Sequence, residues 1–190
     1  MVGESMTLDI VQSNRIGNMR VYHPIPFEEY KYQGYDKGDT PERYEVIRSN
    51  YGSFAGKSLY DLCSANCYFG FKFLQDGGKE VACVDNDIPT CEFVNDLARQ
   101  KNLSLYCYQS IGSINAPFDI GFYLETHYWS GTEGYIEHIS KRCKVVYTSC
   151  YNDYDKNNNT AYEVLLRTLF NNVEVVFTPP IWYRTIYRCS

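Results

Sequence analysis

The chain contains no CxxC pair, no basic excess and no glycine-rich GxGxxG run, and no apolar stretch approaches the length of a membrane span. Each absence removes a class of protein. Without paired CxxC motifs or a Cys/His pairing at zinc-module spacing, the eight cysteines offer no metal site. Several of them sit within or at the ends of strand-like runs ("VACVD", "LYCYQ", "TSCY"), so buried reduced thiols are expected and no metal is. A membrane helix needs about 18 consecutive apolar residues, and none is present. The start, "MVGESMTLDIVQSNRIGNMR", has no long apolar core behind a basic end, so no signal peptide is expected and a cytoplasmic protein follows. The net charge of −5 lowers the case for a nucleic-acid partner, because grip on a phosphate backbone rests on charge neutralisation. "SKRCK" and "YRTIYRCS" are local basic spots that read first as solvated surface.

What is present suits one globular domain: 190 residues, 44% hydrophobic and 22% charged. Nineteen tyrosines supply apolar area with a polar tip, suited equally to a pocket wall or a surface. The first forty residues are irregular and form a leader (1–40), in which "HPIPFEEYKYQGY" reads as a lid over a site or as a strap padding a sheet edge. "DTPERYEVIRSNYG" then reads as a helix, with Thr40 as N-cap, Pro41 at the first helical position and Gly52 past the end. Strands are expected near 58–62, 80–84, 103–108, 118–124, 143–149, 173–178 and 183–189. Helices are expected near 68–76, 89–100, 132–141 and 159–170. "TPPIWY" leaves no room for a helix between the last two strands, so the final strand should return antiparallel. This pattern predicts a three-layer α/β/α sandwich, its seven-stranded sheet mostly parallel with the last strand antiparallel, over residues 41–190.

"GSFAGKS" at 52–58 resembles a phosphate-binding loop but is one residue short, and Lys57–Ser58 lead into a strand rather than a helix, which argues against nucleoside-triphosphate hydrolysis. The stretch "SLYDLCSANCYFGFKFLQDGGKEVACVDND" (58–87) has the layout of a nucleotide-binding βαβ unit. Asp61 closes the first strand, where a carboxylate repels a pyrophosphate but suits an ammonium. Asp85, twenty-four residues on, closes the second, placed for ribose hydroxyls. An amino-bearing nucleoside fits both, and S-adenosylmethionine is the common one; a dinucleotide oxidoreductase does not fit.

Residues Leu59 to Asp87 resemble, without a gap, the segment "vLDiGCnsGyFsfeLakrGAkeVvGvDid" of class I S-adenosylmethionine-dependent methyltransferases. More weakly, "LSLYCYQSI" resembles the third strand and adenine-side loop, and "APFDIGFYLETHYW" the fourth-strand motif, so the resemblance spans roughly residues 40 to 190. It implies that Asp61, Cys63, Ser64, Ala65, Cys67, Asp85, Asn86, Ser110, Ile111 and Leu124 bind S-adenosylmethionine. Ser110 stands where the family often has Asp. The departure is the turn "CSANC", which places Cys63 and Cys67, with Ala65 between them, in the turn where the family uses glycine to approach the cofactor and adopt positive φ. A left-handed non-glycine residue costs about 1–2 kcal/mol. Two or three of them weigh heavily against a micromolar affinity worth only about 8 kcal/mol.

The family's reaction is an in-line displacement at a sulfonium methyl, for which the protein chiefly positions and desolvates. "LETHYW" leaves the fourth strand on the acceptor side, giving His127 as candidate base, Glu125 to orient it, and Tyr128 and Trp129 as acceptor wall; alternatively His127 and Trp129 pack the following helix. His23 and His138 read as bystanders. Arg43 and Tyr44 are candidates to reach the cofactor's carboxyl end. No Asn/Asp-Pro-Pro-aromatic run ends the fourth strand, so an oxygen acceptor on a small or medium polar molecule is favoured by elimination. Two alternatives stay open: a catalytically silent methyltransferase-like module acting through binding, and an enzyme using the same cofactor for another reaction. The oligomeric state stays open too.

Overall fold

Alternating strand and helix signals from Thr40 onward build a seven-stranded sheet between two helical layers. The computed structural model describes residues 15–16, 19–30, 40–124, 134–151, 156–178 and 184–190. A small hairpin, β1 (Arg15–Ile16) and β2 (Met19–Arg20), precedes α1 (Thr40–Tyr51). Then follow β3 (Ser58–Leu62), α2 (Tyr68–Gln75), β4 (Glu80–Val84), α3 (Ile88–Gln100), β5 (Leu105–Tyr108), β6 (Phe118–Tyr123) and α4 (Tyr135–Ser140). The chain ends with β7 (Cys143–Tyr151), α5 (Lys156–Leu169), β8 (Val173–Phe177) and β9 (Arg184–Cys189). The strand order is β5-β4-β3-β6-β7-β9-β8. β9 is antiparallel to both neighbours and the other described pairings are parallel, so the expected fold class holds.

β3 is buried along its whole length and β4 in all but its first residue, as central parallel strands covered on both faces must be. That explains why Leu59–Tyr60 and Val81–Val84 show no alternation of apolar and polar residues. On one face, Tyr44 and Ile47 of α1, Phe69, Phe71 and Phe73 of α2, and Val94 and Leu97 of α3 pack into one core cluster. On the other, Ile136 and Ile139 of α4 and Tyr162 and Leu166 of α5 form a second. The link from β5 to β6 carries only a 3-10 turn, Ile111–Ser113, so among the described residues no helix spans it.

The described part of the leader, 19–30, lies across the outside of α2 and α3. Met19, Val21 and Ile25 are buried in the first cluster. Phe27 meets Phe71 edge-on at 5.3 Å, Tyr30 meets Phe93 at 5.8 Å, and Gln75 Nε2 donates to the Pro26 carbonyl. Residues 31–35 of the possible lid lie outside the described residues. Cys67, Cys83, Cys91, Cys107 and Cys189 are buried free thiols, and burial pushes Cys67 up to about 11 and Cys189 up to about 12. Among the described residues no cluster could hold a metal ion, and no helix is long and apolar enough to cross a membrane.

Candidate active site

Four adjacent parallel strands present their carboxyl ends side by side, and the chemistry-bearing residues gather there. Asp61 is the penultimate residue of β3, 3% exposed, and its Oδ2 has no hydrogen-bond partner among the described residues. Burial, reinforced by the charge of nearby Asp85, holds the Asp61 carboxyl well above the ordinary carboxylate range. An unsatisfied buried carboxyl is costly, and structures keep few without a reason.

Past Leu62 the chain makes the turn 63–67, and alternate residues are left-handed: Cys63 at φ 58°, Ala65 at 47° and Cys67 at 57°. The resemblance places glycine at Cys63 and Cys67, and Ala65 between them is left-handed as well. The turn keeps the left-handed geometry without the residue that adopts it at no steric cost.

Hydrogen bonds from the sheet brace it. Ser64 N–H donates to the Val84 carbonyl (3.0 Å), Ala65 N–H to Asp85 Oδ2 (2.9 Å) and Cys67 N–H to the Ser64 carbonyl (2.8 Å). The side chains that glycine would lack are turned largely into the helical layers. Cys67 is fully buried, and its Sγ fills the space beside Gly70, one turn on in α2; a Cβ at Gly70 would lie 2.5 Å from it. Cys63 packs against the second core cluster on the opposite face. The thiols of Cys63 and Cys67 therefore add little to the narrowing of the cofactor's approach beyond their Cβ atoms.

Asp85 follows β4. Burial holds the Asp85 carboxyl above the ordinary carboxylate range, partly offset by hydrogen bonds from the Asp87, Ala65 and Asn86 amides. Oδ1 accepts from Asp87 N–H (3.0 Å) and Oδ2 from Ala65 N–H, and a carboxylate has capacity for more. Asp85 N–H donates to the Tyr108 carbonyl, which carries the β4–β5 pairing onward and sets the next loop beside it. In that loop Ser110 caps the 3-10 turn, its Oγ accepting from Gly112 N–H, and Ile111 packs half-buried on the second cluster. Asn86 is exposed next to Asp85. Leu124 follows Tyr123, which pairs with Leu62, so it lies level with Cys63 across the β3–β6 pair. All ten residues expected at a cofactor thus fall at this one end of the sheet. Glu125, His127, Tyr128 and Trp129 lie outside the described residues.

Arg43 and Tyr44 separate. Arg43 is 2% exposed, its Nη2 donates to Thr40 Oγ1, and its guanidinium lies over the Phe69 ring. The Tyr44 hydroxyl instead donates to Asp76 at the far end of α2, away from the turn. His138 is half-buried against the Tyr60 hydroxyl (3.0 Å) rather than on an open helix face. His23 was expected to be a bystander, and the partners of Asn66 were not foreseen. The Asn66 side chain bonds the backbone of Tyr22 and His23, and the His23 ring stands edge-on to Phe69 with Nδ1 3.1 Å from Thr40 Oγ1. A fully buried asparagine in a turn of small residues carries no local sequence signal for a partner more than forty residues away.

No protein-family model matches the chain, and no curated protein matches it by sequence. Solved structures do match in architecture. A Pyrococcus horikoshii protein described as an RNA methyltransferase superposes with a TM-score of 0.66 at 15% identity, covering 98% of each chain. The Thermus thermophilus 16S rRNA N2 G1207 methyltransferase, in complex with S-adenosylmethionine and guanosine, gives 0.67 at 16% identity over 82% of this chain and 43% of its own. Magnesium protoporphyrin IX methyltransferase from Synechocystis, with the cofactor bound, gives 0.60 at 11% identity over 77% of each. The fold is that of the class I S-adenosylmethionine-dependent methyltransferases. At these identities the likeness defines the architecture.

Proposed function

We propose that the chain is an S-adenosylmethionine-dependent methyltransferase acting on a small or medium polar acceptor, with oxygen the first acceptor atom to test. Residues 41–190 form the catalytic unit and 1–40 a leader. The carrying observation is the buried Asp61 carboxyl, its Oδ2 without a partner among the described residues, beside Asp85 at the ends of adjacent parallel strands. That pair fits a ligand with an ammonium at one end and vicinal hydroxyls at the other. Asp61 would receive the ammonium, Asp85 the ribose hydroxyls, and Asn86, Ser110 and Ile111 the adenine side. Residues 63–67 and Leu124 would border the methionine part. When bound, the cofactor supplies an activated methyl group on sulfur. The chain's part is to hold that methyl in line with an acceptor and to exclude water. Glu125 and His127, with Tyr128 and Trp129, remain our choice for the acceptor side, His127 taking the acceptor's proton if it must leave before attack.

Calorimetric titration with S-adenosylmethionine and S-adenosylhomocysteine tests this reading. Micromolar binding that is lost in Asp85→Ala supports it, and no binding at millimolar ligand sinks it. One observation favours a second reading, a catalytically silent module of the same fold: three left-handed non-glycine residues in the turn that receives the ligand. The neighbours named above act on guanosine in ribosomal RNA and on a porphyrin, so the fold itself leaves the acceptor open.

A further inference from the structure

Three left-handed residues without glycine persist only where the surroundings over-determine them. From the sheet side the turn is held by Val84 and Asp85. From the outside, among the described residues, it is held by the Asn66 side chain. Asn66 is 0% exposed and makes three hydrogen bonds to the leader's backbone. Its Oδ1 accepts from Tyr22 N–H (3.1 Å) and His23 N–H (2.8 Å), and its Nδ2 donates to the His23 carbonyl (2.9 Å). The amide thus pairs with the leader as an adjacent strand would.

The leader is itself anchored at other points. Met19, Val21 and Ile25 are buried in the first core cluster, Gln75 holds Pro26, and Lys101 pairs with Glu29. His23 reaches Thr40 at the start of α1, whose Oγ1 also accepts from the buried Arg43. Asn66 is therefore where a fixed outer strap meets the most strained part of the molecule, two residues or fewer from both Ala65 and Cys67.

We propose that Asn66 is a positioning residue of the cofactor site, a latch through which the N-terminal strap holds the left-handed turn in its ligand-binding shape. The strap does from outside what a glycine turn does by conformational freedom. This inference rests on the cofactor reading above for its use, but not for its geometry.

Amide hydrogen exchange of the ligand-free full chain is the first test. In Asn66→Ala, exchange at Tyr22 and His23 rises trivially; the latch requires that Ser64, Ala65 and Cys67 also exchange at least roughly tenfold faster. Asn66→Ser keeps a small polar group that cannot reach all three backbone partners, and falls between the parent and Asn66→Ala; it also serves if Asn66→Ala fails to fold. S-adenosylhomocysteine should bind Asn66→Ala about 10- to 100-fold more weakly, the scale of one or two net hydrogen bonds. Adding Cys63→Gly and Ala65→Gly to either Asn66 variant should restore at least half of that loss on a logarithmic scale. A role confined to tethering the leader would move the leader amides and leave the turn and the glycine rescue unaffected. Unchanged turn exchange, or no rescue by glycine in a parent chain that does bind S-adenosylhomocysteine, overturns the proposal. Exchange is read without ligand, so a chain that bound no cofactor would sink the methyltransferase reading and still leave the latch decided.

Discussion

Cys67 and Gly70 behave as one unit if the thiol occupies the space that a side chain at residue 70 would need, and a double-mutant cycle measures this directly. A Cβ at Gly70 would sit 2.5 Å from Cys67 Sγ, 3.0 Å from Val81 Cγ1 and 3.4 Å from Leu105 Cδ1. The thiol has nowhere to swing, being fully buried on a left-handed residue at the N-terminus of α2. Overpacking of this kind costs about 1–3 kcal/mol, against about 1 kcal/mol gained by alanine over glycine inside a helix. Gly70→Ala alone should therefore be neutral to about 2 kcal/mol destabilising. Cys67→Gly relieves about 1–2 kcal/mol of left-handed strain. It loses about 1 kcal/mol of apolar burial and a further 0.4–1 kcal/mol, roughly, to unfolded-state freedom, so it should lie within about 1 kcal/mol of the parent. In the double variant the new methyl fills the void left by sulfur, and the coupling should be about 1–3 kcal/mol in favour of the pair. Urea unfolding gives the four free energies, and in a chain of this size each kcal/mol moves the thermal midpoint by roughly 2–4 °C. Single effects that add within about 0.5 kcal/mol would refute the packing account. Because Sγ points into the helix layer, Cys67→Gly should also leave cofactor affinity within about threefold of the parent.

The buried carboxyl makes two further predictions. Burial raises Asp61 in the folded chain above its ordinary value near 3.8, so the folded state keeps a proton that the unfolded chain gives up. Its contribution to stability is most favourable below about pH 4 and declines as pH rises toward the raised folded value. Asp61→Asn should therefore stabilise the ligand-free protein at pH 7–8 by about 1–3 kcal/mol, the cost of an unsatisfied buried group, with the gain shrinking toward pH 4. An unchanged thermal midpoint across that range would refute it, and the same variant should abolish cofactor binding. An arriving ammonium favours the ionised carboxylate, so binding below the raised value should release close to one proton. Calorimetry in two buffers of different ionisation enthalpy reads that number, and identical heats after buffer correction would exclude it.

Local pattern was enough for the architecture. Runs such as "SLYDL" and "EVACV", turn residues at their ends and a helix-free link before the last strand place every sheet strand from β3 to β9 within a few residues of its observed limits. Left-handed backbone at Cys63 and Cys67 was implied only by the resemblance, whereas the positions of Asp61 and Asp85 at strand ends follow from the same pattern. These are properties of neighbours along the chain, set by side-chain period and backbone sterics. Tertiary structure alone decided where the side chains went. It turned Cys67 toward Gly70, packed Cys63 on the opposite layer, sent Tyr44 to Asp76 and joined Asn66 to a backbone 43 residues earlier. A turn's sequence limits its dihedral angles, but the partner of a buried amide is whichever distant segment the packing of α2 and α3 brings against it.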